Sequence, residues 1–502
     1  MRVFYSCGSP KLKLQNRKSK AEAVKKTAEL SPSASHESQK SHESRKSCKK
    51  KTESTPYMKT YELLIAGCGV SGKAAARLSS FLKKEYVLLD EKNVDVPLLD
   101  HPPALVLENW KSTDPLPCRF KTAILSPGIR TTNPLYAQIC AASDRVMGEL
   151  EFAASFAPCP MAGITGTNGK TTTTELTTAL FQAAGVRAEA AGNIGNGLSD
   201  AVIAALKGET QLLIVEVSSF QLEHTETFPM AAAALLNLAS DHIDRHGSME
   251  EYARIKFIMV NSAECAVLNT SVADHPARDQ KNVITFSATD KNADLNLSDD
   301  GVICYKNRPV FDFKESQLKG SFNAENIMAA LALLAALKGE NILFDESEKI
   351  CNALRGFKAD HHRAECFLEK NGIRYVDDSK ATNPHAVIAA LQLYSAKDGK
   401  NIRLLLGGLD KDMDFKELIP YLGAVEKVYL TGSCRERIRL ALEGIVPLEM
   451  CRDFTDAAQK MCADAQTGEV VMLSPATASM DEFRNYRERG DHFKKIVTAS
   501  AK

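Results

Sequence analysis

The sequence predicts an α/β protein of three successive domains, each built on a mostly parallel sheet, and three observations carry that reading. Apolar runs of strand length alternate with helical patterns along most of the chain, the order that covers both faces of a parallel sheet with helices. Two of those runs end in glycine-rich turns that open a helix, at 67–72 and 166–169. The 502 residues also exceed one compact core, which points to about three domains at roughly 150 residues each.

Composition narrows the class. Apolar residues make up 44% and charged residues 25%, the balance of a globular chain. Net charge is zero, yet residues 1–57 hold 14 Lys and Arg against 5 Glu, leaving 49 basic and 58 acidic residues beyond them. An acidic body without basic stripes argues against nucleic acid as a partner. No apolar run approaches the roughly 18 residues of a membrane span. The 13 cysteines are odd in number and include no C-x-x-C pair, as in reduced cytosolic enzymes, so a cytoplasmic location is expected.

The elements follow in order. Residues 1–57 are rich in Ser and Lys, with too few apolar residues for a core and no continuous apolar signal segment. An over-extended start ahead of Met58, a disordered tail and a transit segment are the three readings of this head. Residues 58–156 form the first domain, Rossmann-like: "YELLIAGCGVSGKAAARLSSFLKK" passes from strand through glycines into helix, and "EYVLLDEKN" returns as a strand closed by Asp90. Gly67, Gly69 and Gly72 make G-x-G-x-x-G, so the amides around Gly69, Val70 and Ser71 can receive a diphosphate and Asp90 a ribose hydroxyl. Tight strand–helix packing is the structural alternative. "TAILSPGIRTTNP" reads as another strand, ending in a Ser-Pro-Gly turn.

Residues 157–358 form the second domain, an ATP-binding unit. In "GITGTNGKTTTTE" Gly166, Thr167, Asn168 and Gly169 turn between strand and helix, Lys170 supplies a charge, and Thr171 and Thr172 begin the helix, with Thr171 placed for Mg²⁺. Ile164 stands where the usual spacing has glycine; it is expected to belong to the strand, with the turn starting one or two residues later. "LLIVE" brings Glu216 to a strand tip beside this loop, a magnesium-ligand position, or else an ordinary strand-end acid. "SDHIDRH" offers His242 between Asp241 and Asp244, and Lys256 follows in a helical pattern. Alone, His242 reads as a satisfied loop histidine and Lys256 as a solvated helix face.

Residues 359–502 form the third domain. Strands are expected at "GIRYVDD", "IRLLLGG", "KVYLTG" and "EVVMLSP", and the loops beginning at "DDSKATNP", "LLLGGLDKDMDF" and "LSPATASMDEF" carry hydroxyl and charged residues at the sheet end where α/β folds bind ligands. Lys380, Thr382, Lys411 and Ser479 together could grip an anionic substrate, although each alone suits a turn or a cap.

"GTNGKTT", "GNIG", "EVSSFQLE", "DHIDRH", "GSFNAEN", "HHR", "DDSKATNP" and "SPATASMDEF" with "RGDHF" together resemble the Mur ligases, across 60–495. "DSKATNP" with "SPATAS" points within the family to addition of D-glutamate. The resemblance implies an N-terminal domain for UDP, a central ATPase and a C-terminal Rossmann-like domain for the amino acid. It implies that ATP phosphorylates the carboxylate of UDP-N-acetylmuramoyl-L-alanine and that D-glutamate attacks the acyl phosphate. Cofactors would be ATP, two Mg²⁺ ions and a CO₂-derived carbamate on Lys256. The catalytic set is then Lys170, Glu216, His242 and Lys256, with Thr171 and Glu216 at the first metal and His242 and Lys256 at the second. Asn323, Asn326, Arg363 and Asp378 would hold ATP, Asn193 and Ser218 the muramoyl-alanine, and Ser126 and Gly128 the UDP. D-Glutamate would meet Lys380, Thr382, Lys411, Ser479 and Tyr486, the last standing where the family pattern has Phe. A monomer is expected, with no membrane or nucleic-acid partner. The rivals are a sister ligase for another amino acid, a folate polyglutamylating enzyme, an NAD-dependent oxidoreductase and an inactive nucleotide-binding regulator.

Overall fold

The computed structural model describes residues 59–501 apart from 97, 277, 280, 359, 360, 397, 398 and 412. The readings of residues 1–57 lie outside the described residues. Three sheets carry the chain, which is the α/β class expected from the sequence.

The first sheet comprises β1 (Thr60–Ala66), β2 (Tyr86–Leu89), β3 (Leu105–Leu107), β4 (Arg119–Leu125) and β5 (Ser143–Gly148), all parallel and ordered β3-β2-β1-β4-β5. Strand order reverses between β1 and β4, and the crevice there is the ligand end of such a sheet. The helix Val70–Phe81 opens beside it. Gly67 has φ +83°, and a Cβ on Gly72 would lie 1.9 Å from the Gly67 carbonyl oxygen, so these two glycines let helix and turn touch.

The second sheet comprises β6 (Met161–Thr165), β7 (Ala188–Gly192), β8 (Leu212–Glu216), β9 (Ala232–Leu235), β10 (Ala266–Asn269), β11 (Val283–Ser287), β12 (Leu295–Leu297), β13 (Val302–Tyr305) and β14 (Arg308–Asp312). Its order is β14-β13-β12-β11-β10-β9-β6-β8-β7, parallel from β7 to β12 and antiparallel at the β12-β13-β14 edge. β6 is therefore flanked by β8 and β9, whose ends deliver side chains to the loop that follows β6. The helices Lys170–Ala183 and Ser321–Lys338 pack over one face through Leu176, Leu180, Phe181, Ile327, Leu331 and Leu334. Ser321–Lys338 is apolar almost all round because it is buried all round.

The third sheet comprises β15 (Glu365–Lys370), β16 (Ile373–Asp377), β17 (Ile402–Gly407), β18 (Val425–Thr431), β19 (Leu448–Met450) and β20 (Val470–Leu473), ordered β15-β16-β20-β17-β18-β19. It is parallel except for the β15–β16 pair. Among the described residues no helix is long and apolar enough to cross a membrane.

Candidate active site

Ile164 lies fully buried in β6, paired with Glu216 and Ala234, so the turn starts after Thr165, as its spacing implies. Gly166 and Gly169 have φ +153° and +86°. A Cβ on Gly169 would lie 2.3 Å from Asn326 Oδ1, so neither the conformation nor the space admits a side chain. The segment after β9 fastens the loop: the Asn168 amide donates to Asn237 Oδ1 (2.9 Å), Asn237 Nδ2 donates to the Asn168 carbonyl (3.1 Å), and Thr167 Oγ1 donates to the Ala239 carbonyl (3.1 Å). Lys170 folds over the loop and donates to the Gly166 and Thr167 carbonyls at 2.9 and 2.8 Å. No side chain caps the helix that follows, leaving its first amides for an anion.

Glu216 ends β8 and is 2% exposed. Its Oε1 accepts from Asn193 Nδ2 at 2.8 Å, while Oε2 is buried without a hydrogen-bond partner among the described residues. Asp241, after β9, repeats the pattern: Oδ2 accepts from Asn383 Nδ2 at 3.3 Å, and buried Oδ1 has no hydrogen bond, with Lys411 Nζ 3.6 Å away. Buried carboxylate oxygens are ordinarily satisfied. Two that are not, both close enough to act on the Lys170 ammonium of the phosphate loop, supply hard oxygen donors of the kind that suit Mg²⁺. The fold, rather than any sequence motif, reveals the part of Asp241. Among the described residues no group of three or more His, Cys, Asp or Glu gathers as a metal cluster; the donors here are of mixed type.

His242 sits at φ +57° with its ring 4.6 Å from that of Phe220, and burial pushes its pKa down to about 4. The neutral imidazole is the form that ligates metals. Lys256 is 1% exposed rather than on a solvated helix face, and donates to the Gly166 carbonyl (2.9 Å) and Thr165 Oγ1 (3.3 Å). Burial first, and then the charge of Lys170, hold its pKa well below the ordinary lysine value. Burial also lowers the pKa of Lys170, against the pull of Glu216 and Asp241.

Beside the loop opens a cleft of about 550 Å³, lined by Asn168, Gly169, Thr172, Asn323 and Asn326 on one side and Arg363, Asp378 and Lys380 on the other. That volume suits a small-molecule ligand. Asn326 accepts from Thr173 Oγ1 at 3.2 Å and donates to Asn323 Oδ1 at 3.1 Å. Asp378 accepts from Ser474 Oγ (2.6 Å) and the Ala364 amide (3.0 Å), and burial raises its pKa to about 7. Ser474 opens the "SPATAS" motif, although no role is expected of it from the sequence.

The third domain reaches the same place from the ends of its strands. Lys380 Nζ donates to Thr171 Oγ1 at 3.2 Å, and Asn168 and Asn383 exchange amide hydrogen bonds at 3.2 and 3.3 Å. Thr382 is half-buried in the loop between them. Lys411 comes from the loop after β17. Ser479 and Tyr486 come from the segment after β20, where the Tyr486 ring lies 5.2 Å from Lys380 Nζ.

In the first domain Asp90 holds the glycine turn, accepting from the Cys68 and Lys92 amides at 2.6 and 2.9 Å, and Ser126 Oγ donates to the Gly67 carbonyl at 2.6 Å. The expected ribose contact therefore has only the remaining lone pairs of Asp90 to use. Added Cβ atoms on Gly69 and Gly128 would meet nothing within 4 Å, Val70 is 73% exposed and Ser71 is half-buried, so this face is open. Ser218 caps the helix Ser219–Leu222 in a capping box with Gln221, a local structural duty that the S-x-x-Q spacing itself signals.

Comparison with known proteins identifies the family. Residues 164–334 match the Mur ligase middle domain and 362–477 the Mur ligase glutamate ligase domain. The chain is 33% identical over 480 residues to the UDP-N-acetylmuramoylalanine–D-glutamate ligase of Thermoanaerobacter pseudethanolicus, covering 88% of this chain and 98% of that protein. It is 32% identical over 451 residues to the ligase of the same name from Streptococcus pneumoniae, covering 87% and 96%. In fold it is similar to a pseudomurein peptide ligase type C from Methanothermus fervidus (TM-score 0.56, 16% identity, 88% of this chain and 99% of that one). It is also similar to the MurF ligase from Thermotoga maritima solved in complex with ADP (TM-score 0.52, 18% identity, 76% and 90%). The chain belongs to the Mur ligase family, whose members are ATP-dependent ligases.

Proposed function

We propose that this chain adds D-glutamate to UDP-N-acetylmuramoyl-L-alanine, a step in making peptidoglycan precursors. The observation that carries the reading is the pair of buried, unfilled oxygens Glu216 Oε2 and Asp241 Oδ1 beside a phosphate loop, in a chain whose relatives bear that activity in their name. The eleven described cysteines are all free, which supports a reducing cytoplasm, and the reading takes the enzyme as a monomer.

A carboxylate is a poor acyl donor because oxide would have to leave. Transfer of the γ-phosphoryl group from ATP to that carboxylate gives an acyl phosphate and ADP. The D-glutamate amine then attacks the acyl carbon, phosphate departs and the nitrogen loses a proton. Such phosphoryl transfer is mostly positioning and charge neutralisation. Lys170 and the amides of 166–172 hold the β- and γ-phosphates, and Asn323, Asn326, Arg363 and Asp378 hold the rest of ATP across the cleft. Thr171, Glu216, Asp241 and His242 would hold magnesium, which when bound neutralises phosphate charge. Gly69, Val70, Ser71, Ser126 and Gly128 serve the UDP end, with Asp90 supporting the turn, and Asn193 and Ser218 lie toward the muramoyl-alanine. Lys380, Thr382, Lys411, Ser479 and Tyr486 meet the two carboxylates of D-glutamate. Asn323 and Asn326 on one side of the cleft and Arg363 and Asp378 on the other, drawn together around ATP, close the site against water, which would hydrolyse the intermediate. The buried, charge-depressed Lys256 is suited to react with CO₂ as the neutral amine, forming a carbamate and releasing a proton; the product is an oxygen ligand in place of a repelling cation.

Phosphate release from Mg-ATP, bicarbonate and UDP-N-acetylmuramoyl-L-alanine tests the reading with D-glutamate, L-glutamate, L-alanine and meso-diaminopimelate in parallel. Release is expected with D-glutamate alone and is expected to vanish in Lys170→Ala. Release with a different amino acid would move the chain to a sister branch.

A further inference from the structure

Two cations of the amino-acid side rest on oxygens of the metal side. Lys380 Nζ donates to Thr171 Oγ1 at 3.2 Å, and Lys411 Nζ lies 3.6 Å from the unfilled Asp241 Oδ1. Neighbouring residues reach the same side: Asn383 Nδ2 donates to Asp241 Oδ2 at 3.3 Å, and His385, in the helix that follows, has its Nδ1 3.0 Å from Asn168 Nδ2 of the phosphate loop. Lys411 is 16% exposed and Asp241 8% at their side chains, so this pair is poorly screened by solvent.

We infer that Lys380 and Lys411 are exchangeable placeholders for the divalent ion: each occupies a metal-ligating oxygen until metal arrives, and metal loading displaces both toward the carboxylates of the incoming amino acid. The inference rests on the proposed metal site and deepens it. A divalent ion held by Asp241 would compete with Lys411 for that carboxylate, and one held by Thr171 would compete with Lys380 for that hydroxyl, since ion and ammonium repel and cannot hold the same oxygen. The lysines are therefore pinned when the site lacks metal and released when it is filled. The release also loosens the 380–385 loop from the central domain, because Asp241 is shared by Lys411 and Asn383. By reciprocity, whatever metal loading does to the lysines, the lysines do to metal affinity.

The test uses the full chain without nucleotide and Mn²⁺ as the probe, following free Mn²⁺ by electron paramagnetic resonance and backbone amide exchange by mass spectrometry. In the wild type, Mn²⁺ is expected to bind and to speed exchange at 380–386. Lys411→Met is expected to bind Mn²⁺ at least about tenfold tighter, since a nearby unit charge is removed at low effective dielectric, and Lys411→Arg to bind as the wild type does. Mn²⁺ binding that leaves exchange at 380–386 unchanged or slower overturns the exchange, and this arm needs no variant. Equal affinity of Lys411→Met and wild type overturns it too. Failure of every protein to bind Mn²⁺ would instead remove the metal site itself, and the inference with it.

Discussion

Lys256 donates to the Gly166 carbonyl and the Thr165 hydroxyl, neutral acceptors that compensate a buried charge only in part. The amine is therefore easily deprotonated, and the neutral amine is the form that attacks the carbon of CO₂. In ¹³C-bicarbonate the wild type is expected to show a carbamate carbon resonance that Lys256→Met lacks; identical spectra would end the carbamate reading. His242 makes a separate expectation for the metal-free protein. Its pKa falls from 6.5 to about 4 through burial. Above 6.5 both folded and unfolded forms are neutral and the group contributes nothing to pH dependence. Between 6.5 and 4 only the unfolded chain takes up the proton, so stability is lost as pH falls through that window. The loss is on the order of 2–3 kcal/mol. His224, His246 and His385 are also lowered by burial, so the quantity to read is the difference between wild type and His242→Asn in urea unfolding at about pH 7 and pH 5. A difference that does not change with pH would refute the assignment.

At the scale of elements, the two glycine turns look alike in sequence and differ in physical demand. Gly169 has φ +86° and no room for a Cβ, whereas Gly69 has φ −72° and open space around it. Gly169→Ala is expected to cost about 1–3 kcal/mol from its backbone conformation, and to raise the KM for ATP by displacing Asn326 in the cleft. Gly69→Ala is expected to stay within about 0.5 kcal/mol of wild type. Equal losses in thermal unfolding would show that the printed glycine pattern, not the local conformation, governs both. The same distinction explains what was legible in the sequence. β6, β8, β17 and β20 are buried along their whole length and β1, β16 and β18 over most of theirs, so short apolar runs mark them. β15 and β19 are short or edge strands with half-exposed residues, and the β13–β14 hairpin is an antiparallel addition, so they leave little apolar pattern to read. Lys170 was legible because spacing along one strand–loop–helix unit fixes its place, and Glu216 because it closes a separate apolar strand run. Asp241, Asn383 and Ser474 stand inside motifs the sequence displays, but their contacts were not legible, because the partners lie far along the chain, 142 residues apart for Asp241 and Asn383, and only the folded sheets bring them together.

Across the whole molecule the three domains are joined unequally. Leu63, Ile65 and Leu78 of the first domain share one apolar cluster with Leu198, Leu213, Val215 and Phe228 of the second. Arg77 grips Asp200 bidentately at 2.6 and 2.7 Å, and buried Glu149 accepts from the Ser199 amide and hydroxyl. The third domain has its own apolar clusters, around Leu404 and Val428 and around Tyr375 and Phe493. It meets the phosphate loop through the polar contacts of Lys380, Asn383 and Lys411. Shared apolar burial couples unfolding because neither partner can open without exposing the other's core; a few polar contacts couple it weakly. Calorimetry of the ligand-free protein is therefore expected to show two transitions, one for the first two domains together and one for the third. A nonhydrolysable Mg-ATP analogue, held by Asn323 and Asn326 on one side of the cleft and by Arg363 and Asp378 on the other, stabilises the arrangement in which both sides are folded and apposed. It should draw the transitions together by an amount that grows with ligand concentration over Kd. A single ligand-free transition would mean that the polar contacts alone couple the domains. Two transitions of which the analogue moved only that of the first two domains would mean that the nucleotide is held by the central domain without the third.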